Sequence, residues 1–546
     1  MQEKGKQNYL KGAAILAAAS IIVKIVGAIY KIPIFNVLDD AGRGSFQVTY
    51  EVYTLLLTIS TAGIPAALSR LVSSSAAKGE TGLVKKYFSV ALPAFVMIGA
   101  AAMLVMFLFA QSFAGLMNDS LAAPGIRVLS PAVFFACIIS VYRGYAQGFE
   151  NMIPTAASQL IEVVCKATFG LIAAMWLANI GAASHIVSAG AIMGVTIGLG
   201  LCIPLLISYK KRLSRKLPDA DGEEWVPDNA TVFWRIMRVS IPITLSASFM
   251  SIMTFIDTSV VLGRLKASLM AVEGLTEVAA EAAARVENGI YALGKTVYNL
   301  PLALVVPVSV SVIPAIAAAL AKKRGSEAGF IMQSSVKLVN LLAMPAGAGL
   351  MVLATPIMVA LYNDSRQITT TILTILGAAS FFACLQYITT AILQANGHER
   401  ITLITFPIGA AIKIALSYFL AGNPNIGIIG SPIGTLACFF SIASLNIFFI
   451  LRKVEERPKF ASVFIKPLLC TAAMSGVAFV TYKLAHSLGS GRLGTDRFAV
   501  IVYLGVAMLV AVIVYAVLII VTRTITKEDM LLIPKGEKLA KLLRIK

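Results

Sequence analysis

Charged residues are scarce in this sequence of 546 residues: Asp, Glu, Lys and Arg together make up 13% of it, against about 25% in soluble domains. Hydrophobic residues make up 58%, and the mean hydropathy is +0.84. This balance excludes a soluble enzyme and indicates a polytopic membrane protein. Acidic residues are the scarcer kind, 27 against 46 Lys and Arg, which gives a net charge of +19. Because the basic residues stand in short blocks between apolar runs, the charge fits membrane topology, and we exclude a nucleic-acid partner.

The sequence also has few of the side chains that build metal and redox sites. Its three histidines are scattered, and its six cysteines all lie in apolar runs without a CxxC pair, so we expect buried thiols and no metal site. It has no Walker A loop, dinucleotide fingerprint, HExxH or GxSxG motif, which excludes an ATPase and the common hydrolases. We therefore expect a transporter without a cofactor, coupled to the membrane potential or to a gradient of Na⁺ or H⁺.

Long apolar runs are abundant, and they predict an all-α polytopic membrane protein with 14 transmembrane helices. The spans are predicted near 11–37, 46–74, 87–112, 125–150, 155–178, 185–209, 232–262, 289–320, 330–361, 368–396, 400–421, 427–451, 461–486 and 498–522. With both termini in the cytoplasm, basic clusters such as Lys210–Lys216 and Lys322–Arg324 fall in the cytoplasmic loops, as the positive-inside rule requires. The first run is too long for the apolar core of a signal peptide, so we expect it to remain as a helix.

The two halves of the chain repeat each other. Phe134–Cys137 returns as Phe381–Cys384, and Gln147 matches Gln394 at the same offset. Because each copy has six spans, the copies run in the same direction and predict two lobes around a central cavity, related by an axis along the membrane normal. The predicted domains are an N-lobe (1–209), a cytoplasmic linker (210–230), a C-lobe (231–452), two extra spans (453–522) and an amphipathic cytoplasmic tail (523–546).

Basic residues inside the spans are the first candidates for a binding site. Lys24 and Lys31 are seven residues apart, which places them on one face of the first helix. A charge at the bilayer centre costs at least about 2.5–3.5 kcal/mol, so we expect these lysines and Lys295 to face a cavity that binds an anion. Arg43, in the short segment before the second span, either guards the outer mouth of that cavity or is simply exposed.

Acidic residues inside the spans are candidates for gating or coupling. Asp257 takes the place in the seventh span that Lys24 takes in the first, so the two can pair across the cavity in one state and separate in another. Glu51 is the second candidate, or it faces water near the outer end of its span. Glu162 and Lys166, four residues apart, are expected to neutralise each other. Arg143 is expected to reach the cytoplasmic surface with its head group.

Three stretches resemble a known superfamily over nearly the whole chain. They read IVKIVGAIYKIPIFNVL in the first span, GIPAALSRLVS at the end of the second with AKGE after it, and YNLPLALVVPVSVSVIPAIAAAL in the eighth. Together they resemble the multidrug/oligosaccharidyl-lipid/polysaccharide (MOP) flippase superfamily. Within it, the nearest branch is that of stage V sporulation protein B and the MurJ-type lipid II flippases.

This resemblance implies outward transfer of an undecaprenyl-pyrophosphate-linked sugar, above all lipid II, the peptidoglycan precursor, by alternating access. Lys24 and Lys31 stand where the branch has basic residues that hold the pyrophosphate; these are often arginines there, and lysine lacks their bidentate fork. The last two spans (453–522) would form a groove for the lipid tail. The implied partners are the lipid-linked pyrophosphate oligosaccharide, membrane lipids and cell-wall synthesis proteins, for a monomer in the bacterial plasma membrane.

Three other functions compete with this one. A flippase for capsule, exopolysaccharide or teichoic repeat units would use the same mechanism. A cation-coupled multidrug exporter of the same superfamily would have carboxylates in its first-half cavity, where this chain has lysines. A glycan polymerase would need catalytic carboxylates on outer loops. The outer segment Gly263–Asn288 carries four glutamates, but its Ala-rich pattern predicts a solvated helical hairpin.

Overall fold

The computed structural model describes residues 22–23, 26–27, 29–149, 151–214, 227–456, 458, 460–494 and 496–524. Every regular element in this part of the chain is helical. The helices are α1 (Lys31–Val37), α2 (Asp40–Thr61), α3 (Ile64–Ala77), α4 (Thr81–Leu108), α5 (Ala110–Leu116), α6 (Ala123–Gly148), α7 (Ile153–Asn179), α8 (Ser184–Ser214), α9 (Asn229–Glu273), α10 (Glu277–Ala321), α11 (Gly325–Val352), α12 (Ala354–Tyr362), α13 (Gln367–Ala395), α14 (Glu399–Ala421), α15 (Gly430–Lys453), α16 (Phe460–Leu493) and α17 (Arg497–Val521). Short 3₁₀ turns occur at Ser120–Ala122 and Gly427–Ile429.

Thirteen helical stretches within the described residues are long and apolar enough to cross a membrane, and they match the second to fourteenth predicted spans. The all-α polytopic class is therefore confirmed. The first predicted span, 11–37, lies mostly outside the described residues, as does the predicted tail beyond residue 524. The count of fourteen stays a prediction.

Two helix boundaries differ from the sequence prediction. The second span begins at Asp40, because Asp39 caps the helix by accepting a hydrogen bond from the Gly42 backbone N–H at 2.8 Å. Arg43 therefore lies in the first turn of α2 and not in a loop. The segment predicted as an outer hairpin is mostly helical. Its first helix, α9, continues to Glu273 and ends at Gly274, whose φ of 64° suits a helix terminus.

The chain forms two compact units, Met1–Ala292 and Leu293–Lys546, and their boundary falls inside α10. The lobes predicted from the internal repeat instead divide at the 210–230 linker. The division into two compact units does not compare the two halves of the chain with each other. The lobes predicted from the internal repeat, and the linker between them, therefore stay predictions.

Close helix contacts through glycine hold the first unit together. Gly144 and Gly148 of α6 face Pro65 and Val72 of α3, where a Cβ on either glycine would be in steric conflict. At the break between α2 and α3, the Gly63 backbone N–H donates to the Thr244 hydroxyl of α9 at 3.1 Å. Small residues at such positions let membrane helices approach closely, and the buried side chains of Leu68, Val72 and Tyr145 pack around them.

A buried group of charges joins the start of α10 to the rest of the first unit. Arg285 pairs with Asp119 at 2.5 Å and with Glu281 at 3.1 Å. The Ser120 backbone N–H donates to Glu281 at 2.7 Å, and the Ser45 hydroxyl donates to Asp119 at 3.0 Å. Burial raises the pKa of the Asp119 carboxyl, and Arg285 opposes that rise. The expectation that this outer segment is merely solvated is wrong for Glu281, whose side chain is only 15% exposed.

The second unit packs α11, α13 and α15 around the second half of α10, with α16 and α17 attached at one side. Buried amides connect these helices: Asn340 donates to the Val463 carbonyl at 3.0 Å, and Asn446 donates to the hydroxyls of Thr389 and Thr390 at 3.2 and 3.1 Å. The Tyr515 hydroxyl donates to the Leu341 carbonyl at 3.0 Å. These bonds fix α16 and α17 beside α11, where they line a groove.

Candidate functional site

A cavity of about 310 Å³ opens within the first unit among α2, α6 and α7. The side chains and backbone around it come from Val23, Gly27, Tyr50, Arg143, Gln159, Glu162, Val163 and Lys166. Two cations and one carboxylate therefore line it. Val23 and Gly27 belong to the first predicted span, so the described part of that span borders this cavity.

Lys166 is held at the cavity by aromatic side chains. Its Nζ donates to the Tyr50 hydroxyl at 3.1 Å and lies 4.5 and 4.9 Å from the ring centres of Tyr30 and Tyr50. Aromatic faces attract a cation without neutralising it. Lys166 thus presents a full positive charge in surroundings of low polarity, where an anion would interact strongly with it.

Arg143 is held in a different way, by one neutral and one charged partner. Its Nε donates to the Ser158 hydroxyl at 2.8 Å, and its Nη2 pairs with Oε2 of Glu162 at 3.1 Å. Both partners come from α7, and Gln147 adds a hydrogen bond to Thr155 at 3.2 Å between the same two helices. The guanidinium is therefore oriented on the cavity wall by α7.

Lys31 adds a third cation close to the same wall. Its Nζ lies 5.2 Å from the ring centre of Tyr50 and 5.8 Å from that of Phe46. These two rings stack on each other, 6.1 Å apart and nearly parallel. Lys31 and Lys166 therefore share the Tyr50 ring. With Arg143 they make the described surroundings of this cavity predominantly positive, which suits an anionic ligand.

The other predicted site residues occupy separate places. Lys24 lies outside the described residues, and with it the predicted pairing with Asp257. Arg43 donates to the Phe35 carbonyl at 2.7 Å and pairs with Asp40 at 2.5 Å. Asp257 is buried in α9 at 3% exposure.

Glu51 and Lys295 complete the predicted set. Glu51 is buried in α2 and accepts a hydrogen bond from Gln47 at 2.5 Å. Lys295 lies on α10 in the second unit. Among the described residues, the lining of the 310 Å³ cavity includes none of Lys31, Arg43, Glu51, Asp257 and Lys295, although Lys31 contacts Tyr50, which does line it. Their roles in binding or gating stay predictions.

Three site residues were misjudged from the sequence. Glu162 pairs with Arg143 on the neighbouring helix and not with Lys166. Arg143, which was expected to extend its head group to the cytoplasmic surface, forms this ion pair instead. A signal was available: Thr155, Ser158, Gln159, Glu162 and Lys166 recur at helical spacing along α7. A polar stripe of that length in a membrane helix indicates a wet or liganded face.

The second unit contains an apolar groove of about 460 Å³. Its walls come from the second half of α10 (Leu304), from α11 (Leu342 and Pro345) and from α16 and α17 (Met474 and Val512). Hydrocarbon is the ligand that such a lining accepts, because it offers almost no polar partner.

The helices, the cationic cavity and the apolar groove define a membrane transporter, and the comparisons with known proteins agree. Residues 9–320 match the family model described as "Polysaccharide biosynthesis protein". The chain belongs to this family and, through it, to the MOP flippase superfamily.

Three relatives from Bacillus subtilis (strain 168) are similar over most of their length. The uncharacterized membrane protein YabM is 26% identical, covering 98% of this chain and 96% of its own. Stage V sporulation protein B is 24% identical over 97% of this chain and 98% of its own length. Lipid II flippase MurJ is 24% identical over 87% of this chain and 88% of its own length.

Two solved structures show the same fold. Lipid II flippase MurJ in an inward closed conformation superposes with a TM-score of 0.64 at 15% identity, covering 94% of this chain and 98% of its own. An inward-facing multidrug resistance MATE family transporter of the MOP superfamily superposes with a TM-score of 0.61 at 14% identity. The superposition covers 80% of this chain and 98% of the transporter. The two solved structures show the fold of this chain. The family match and the similarity to the lipid II flippase identify the chain as a transporter.

Proposed function

We propose that this protein is a flippase that moves an undecaprenyl-pyrophosphate-linked sugar, lipid II, from the inner to the outer leaflet by alternating access. The observation that carries the proposal is the cavity of the first unit, where Arg143 and Lys166 line the wall and Lys31 lies on the Tyr50 ring. A pyrophosphate between a lipid and a sugar is an anion that needs cationic partners. The similarity to the lipid II flippase MurJ supports the same substrate class.

The three cations differ in how they would hold a pyrophosphate. Lys166 and Lys31 are point charges that can approach phosphate oxygens from several directions, whereas the planar guanidinium of Arg143 can donate to two oxygens at once. Lys24, on the predicted face of Lys31, extends the set, with Arg43 and Lys295 as further phosphate or sugar contacts. Asp257 and Glu51 are proposed to act in gating or coupling.

The lipid tail has its own candidate place. The groove of the second unit is lined by apolar side chains, and α16 and α17, which form one wall, carry many exposed apolar residues such as Leu468 and Leu509. A polyprenyl chain fits this chemistry, since burying hydrocarbon is favourable by about 25 cal/mol per Å². We propose that spans 13 and 14 (453–522) guide the tail.

The proposal also covers the membrane in which the protein acts and the source of its energy. The protein would act in the bacterial plasma membrane as a monomer with both termini in the cytoplasm, beside cell-wall synthesis proteins. The membrane potential or a gradient of Na⁺ or H⁺ would supply the energy, since the sequence has no ATPase motif.

A second candidate is a flippase for the repeat units of capsule, exopolysaccharide or teichoic polymers. The family description, a polysaccharide biosynthesis protein, favours it. Such a substrate carries the same lipid pyrophosphate, so the cationic cavity serves both. A multidrug exporter is disfavoured, because its cationic substrates would be repelled by Lys166 and Lys31.

The test is rescue of a bacterium depleted of its own lipid II flippase. Wild type, Lys24→Ala and Lys166→Met are expressed side by side, and their presence in the membrane is verified. Rescue by wild type alone supports lipid II export and a part for both lysines. Failure of wild type to rescue, with the protein in the membrane, contradicts lipid II as substrate. Rescue of a strain that lacks a capsule repeat-unit flippase would then support the second candidate.

A further inference from the structure

We propose that Glu162 is an internal counter-anion of the cavity, which occupies Arg143 when no substrate is bound and is displaced by the pyrophosphate. The proposal rests on the proposed function and adds a residue that determines specificity and release. The carboxylate of Glu162 is a tethered substitute for a substrate phosphate, and it limits affinity while it promotes turnover.

The first support is that Arg143 does not need Glu162 for its orientation. Its Nε is already fixed by the Ser158 hydroxyl, which is fully buried and itself donates to the Thr155 carbonyl at 3.0 Å. The bond to Glu162 uses a different nitrogen, Nη2. If the carboxylate leaves, the guanidinium keeps its place and offers Nη2 to another anion.

The second support is the position of the carboxylate. Glu162 lines the cavity together with Arg143, and its side chain is 30% exposed while that of Arg143 is 16% exposed. The pair therefore stands at the cavity wall and not inside the packed helix interface. An anion that enters the cavity reaches the atoms at which Glu162 and Arg143 meet.

The third support is the contrast with Lys166. Its described partners at the cavity are the phenol of Tyr50 and the face of Tyr30. One cation of the wall thus keeps its charge available and attracts the ligand, whereas the other is neutralised until the ligand competes for it. Glu162 is the one carboxylate among the described residues that line this cavity.

Two consequences follow for transport. A pyrophosphate can bind Lys166 and Arg143 together, whereas an anion with a single charge and one contact competes poorly with the tethered carboxylate, so Glu162 favours the pyrophosphate. After release, Glu162 pairs with Arg143 again. This spares the empty carrier an uncompensated guanidinium within the membrane, which would be costly.

A purely structural role for the Arg143–Glu162 ion pair predicts the opposite change in ligand affinity when Glu162 is neutralised. If Glu162 only held α6 and α7 together, Glu162→Gln would loosen Arg143 and weaken binding. If Glu162 is a competing anion, the same variant binds the ligand more tightly. The direction of the change in affinity therefore separates the two roles.

The experiment measures binding and flipping by the full-length protein. The probe is a short-chain lipid II, in which a shortened polyprenyl pyrophosphate carries the disaccharide and its pentapeptide, with binding measured in nanodiscs and flipping in proteoliposomes. We expect Glu162→Gln to bind about tenfold more tightly and to flip more slowly at saturation. Glu162→Asp, whose shorter carboxylate competes less well, is expected to shift both quantities in the same direction by less. The matched control is Glu327→Gln, which removes a carboxylate from the exposed pair with Arg324 and should change neither quantity.

Unchanged or weaker binding by Glu162→Gln, with wild type binding the probe, overturns the counter-anion role and leaves the proposed function standing. Wild type that does not bind the probe overturns both. If Glu162→Gln does not fold, Glu162→Asp decides: equal or weaker binding by that variant also overturns the counter-anion role.

Discussion

The Nε of Arg285 donates to Oδ1 of Asp119 at 2.5 Å, and both side chains are closed off from solvent, at 7% and 0% exposure. The two residues are far apart in sequence, one at the start of α10 and the other just before the 3₁₀ turn at Ser120–Ala122. Glu281 is the second carboxylate partner of Arg285. One guanidinium thus contacts two carboxylates in the first unit, and Lys266 lies 3.9 Å from the second of them.

Removing this guanidinium is expected to destabilise the protein strongly. Arg285→Met would leave Asp119 buried without its cation, which costs about 3–5 kcal/mol for a buried pair, whereas Glu281 keeps Lys266 at 3.9 Å. The measurement is the thermal unfolding midpoint of purified protein in detergent. Arg324→Met, which breaks the exposed pair with Glu327, is the control and should cost no more than about 1 kcal/mol. Equal midpoints for the two variants would contradict a stabilising role for the Asp119–Arg285 pair.

The backbone contact next to this pair gives a second prediction. A Cβ at Gly289 of α10 would overlap the Asp40 carbonyl oxygen of α2, and backbone cannot move aside as a side chain can. Gly289→Ala is therefore expected to lower the yield of folded protein and its unfolding midpoint. Gly505→Ala on α17 meets nothing within 4 Å and should be neutral or slightly stabilising, since Ala favours helix over Gly. Size-exclusion profiles and unfolding midpoints of both variants check this, and a well-behaved Gly289→Ala would contradict the close contact.

Hydropathy was enough to predict the thirteen spans found among the described residues, because burial in lipid requires about 20 apolar residues whatever their partners. It placed the start of the second span too late, since the capping bond from Gly42 to Asp39 is a local polar contact that hydropathy does not register. Lys31 was predicted near an anion site, and the structure places it on the Tyr50 ring beside the cationic cavity.

The partner of Glu162 could not be predicted in the same way. Within one helix, the spacing of four residues makes Lys166 the nearest cation, and that rule holds for an isolated helix in water. In the folded protein, α6 brings Arg143 to 3.1 Å from Glu162, and Tyr30 and Tyr50 offer Lys166 their rings. Those contacts join separate helices, so only the tertiary structure reveals them.

Lys166 gives the most direct prediction for binding. Lys166→Met keeps the length of the side chain and its packing against Tyr30 and Tyr50 but removes the charge and the hydrogen bond to the Tyr50 hydroxyl. We expect affinity for a lipid pyrophosphate to fall by about tenfold to a hundredfold, the range for a lost charge-assisted hydrogen bond of about 1.5–3 kcal/mol. Binding in nanodiscs measures it, with exposed Lys322→Met as the control. An unchanged affinity would remove Lys166 from the site.

Asp364 gives a prediction for pH dependence. Its carboxylate accepts hydrogen bonds from the backbone and guanidinium of Arg366 and from the Thr369 hydroxyl. Burial alone would raise its pKa, but these donors and the charge of Arg366 together lower it. A lowered pKa in the folded state stabilises the protein above the unfolded value of about 3.9 and loses this effect as the pH falls through the lower value.

The variant that tests this is Asp364→Asn. Its unfolding midpoint should lie below that of wild type at pH 7, and the difference should shrink as the pH falls below about 4, because wild type then loses the same charge. Unfolding is followed in detergent from pH 7 to pH 3. A difference that does not change with pH would show that the charge of Asp364 is not what stabilises this turn.

The apolar groove of the second unit allows a test that separates tail binding from head-group binding. Gly349 lines the groove, and a Cβ placed there meets nothing within 4 Å, so a larger side chain can enter without disturbing the helix packing. Gly349→Leu would occupy part of the space that we propose for the lipid tail. Gly476→Leu on α16 is the matched control: its Cβ also meets nothing within 4 Å, but Gly476 is not part of the groove lining. We expect Gly349→Leu to weaken binding of a long-chain polyprenyl pyrophosphate sugar several-fold.

The same variant should leave binding of a short-chain ligand unaffected, because the proposed head-group site is unchanged and a short tail has little hydrocarbon to bury in the groove. The expected loss of affinity for the long-chain ligand has a physical cause: each methylene that can no longer be buried in the groove costs about 0.8 kcal/mol. Binding of both ligands to both variants provides the comparison. Equal losses for long and short chains would indicate a general disturbance of the second unit. No loss with the long chain would mean that the tail lies elsewhere, against lipid or another face of α16 and α17.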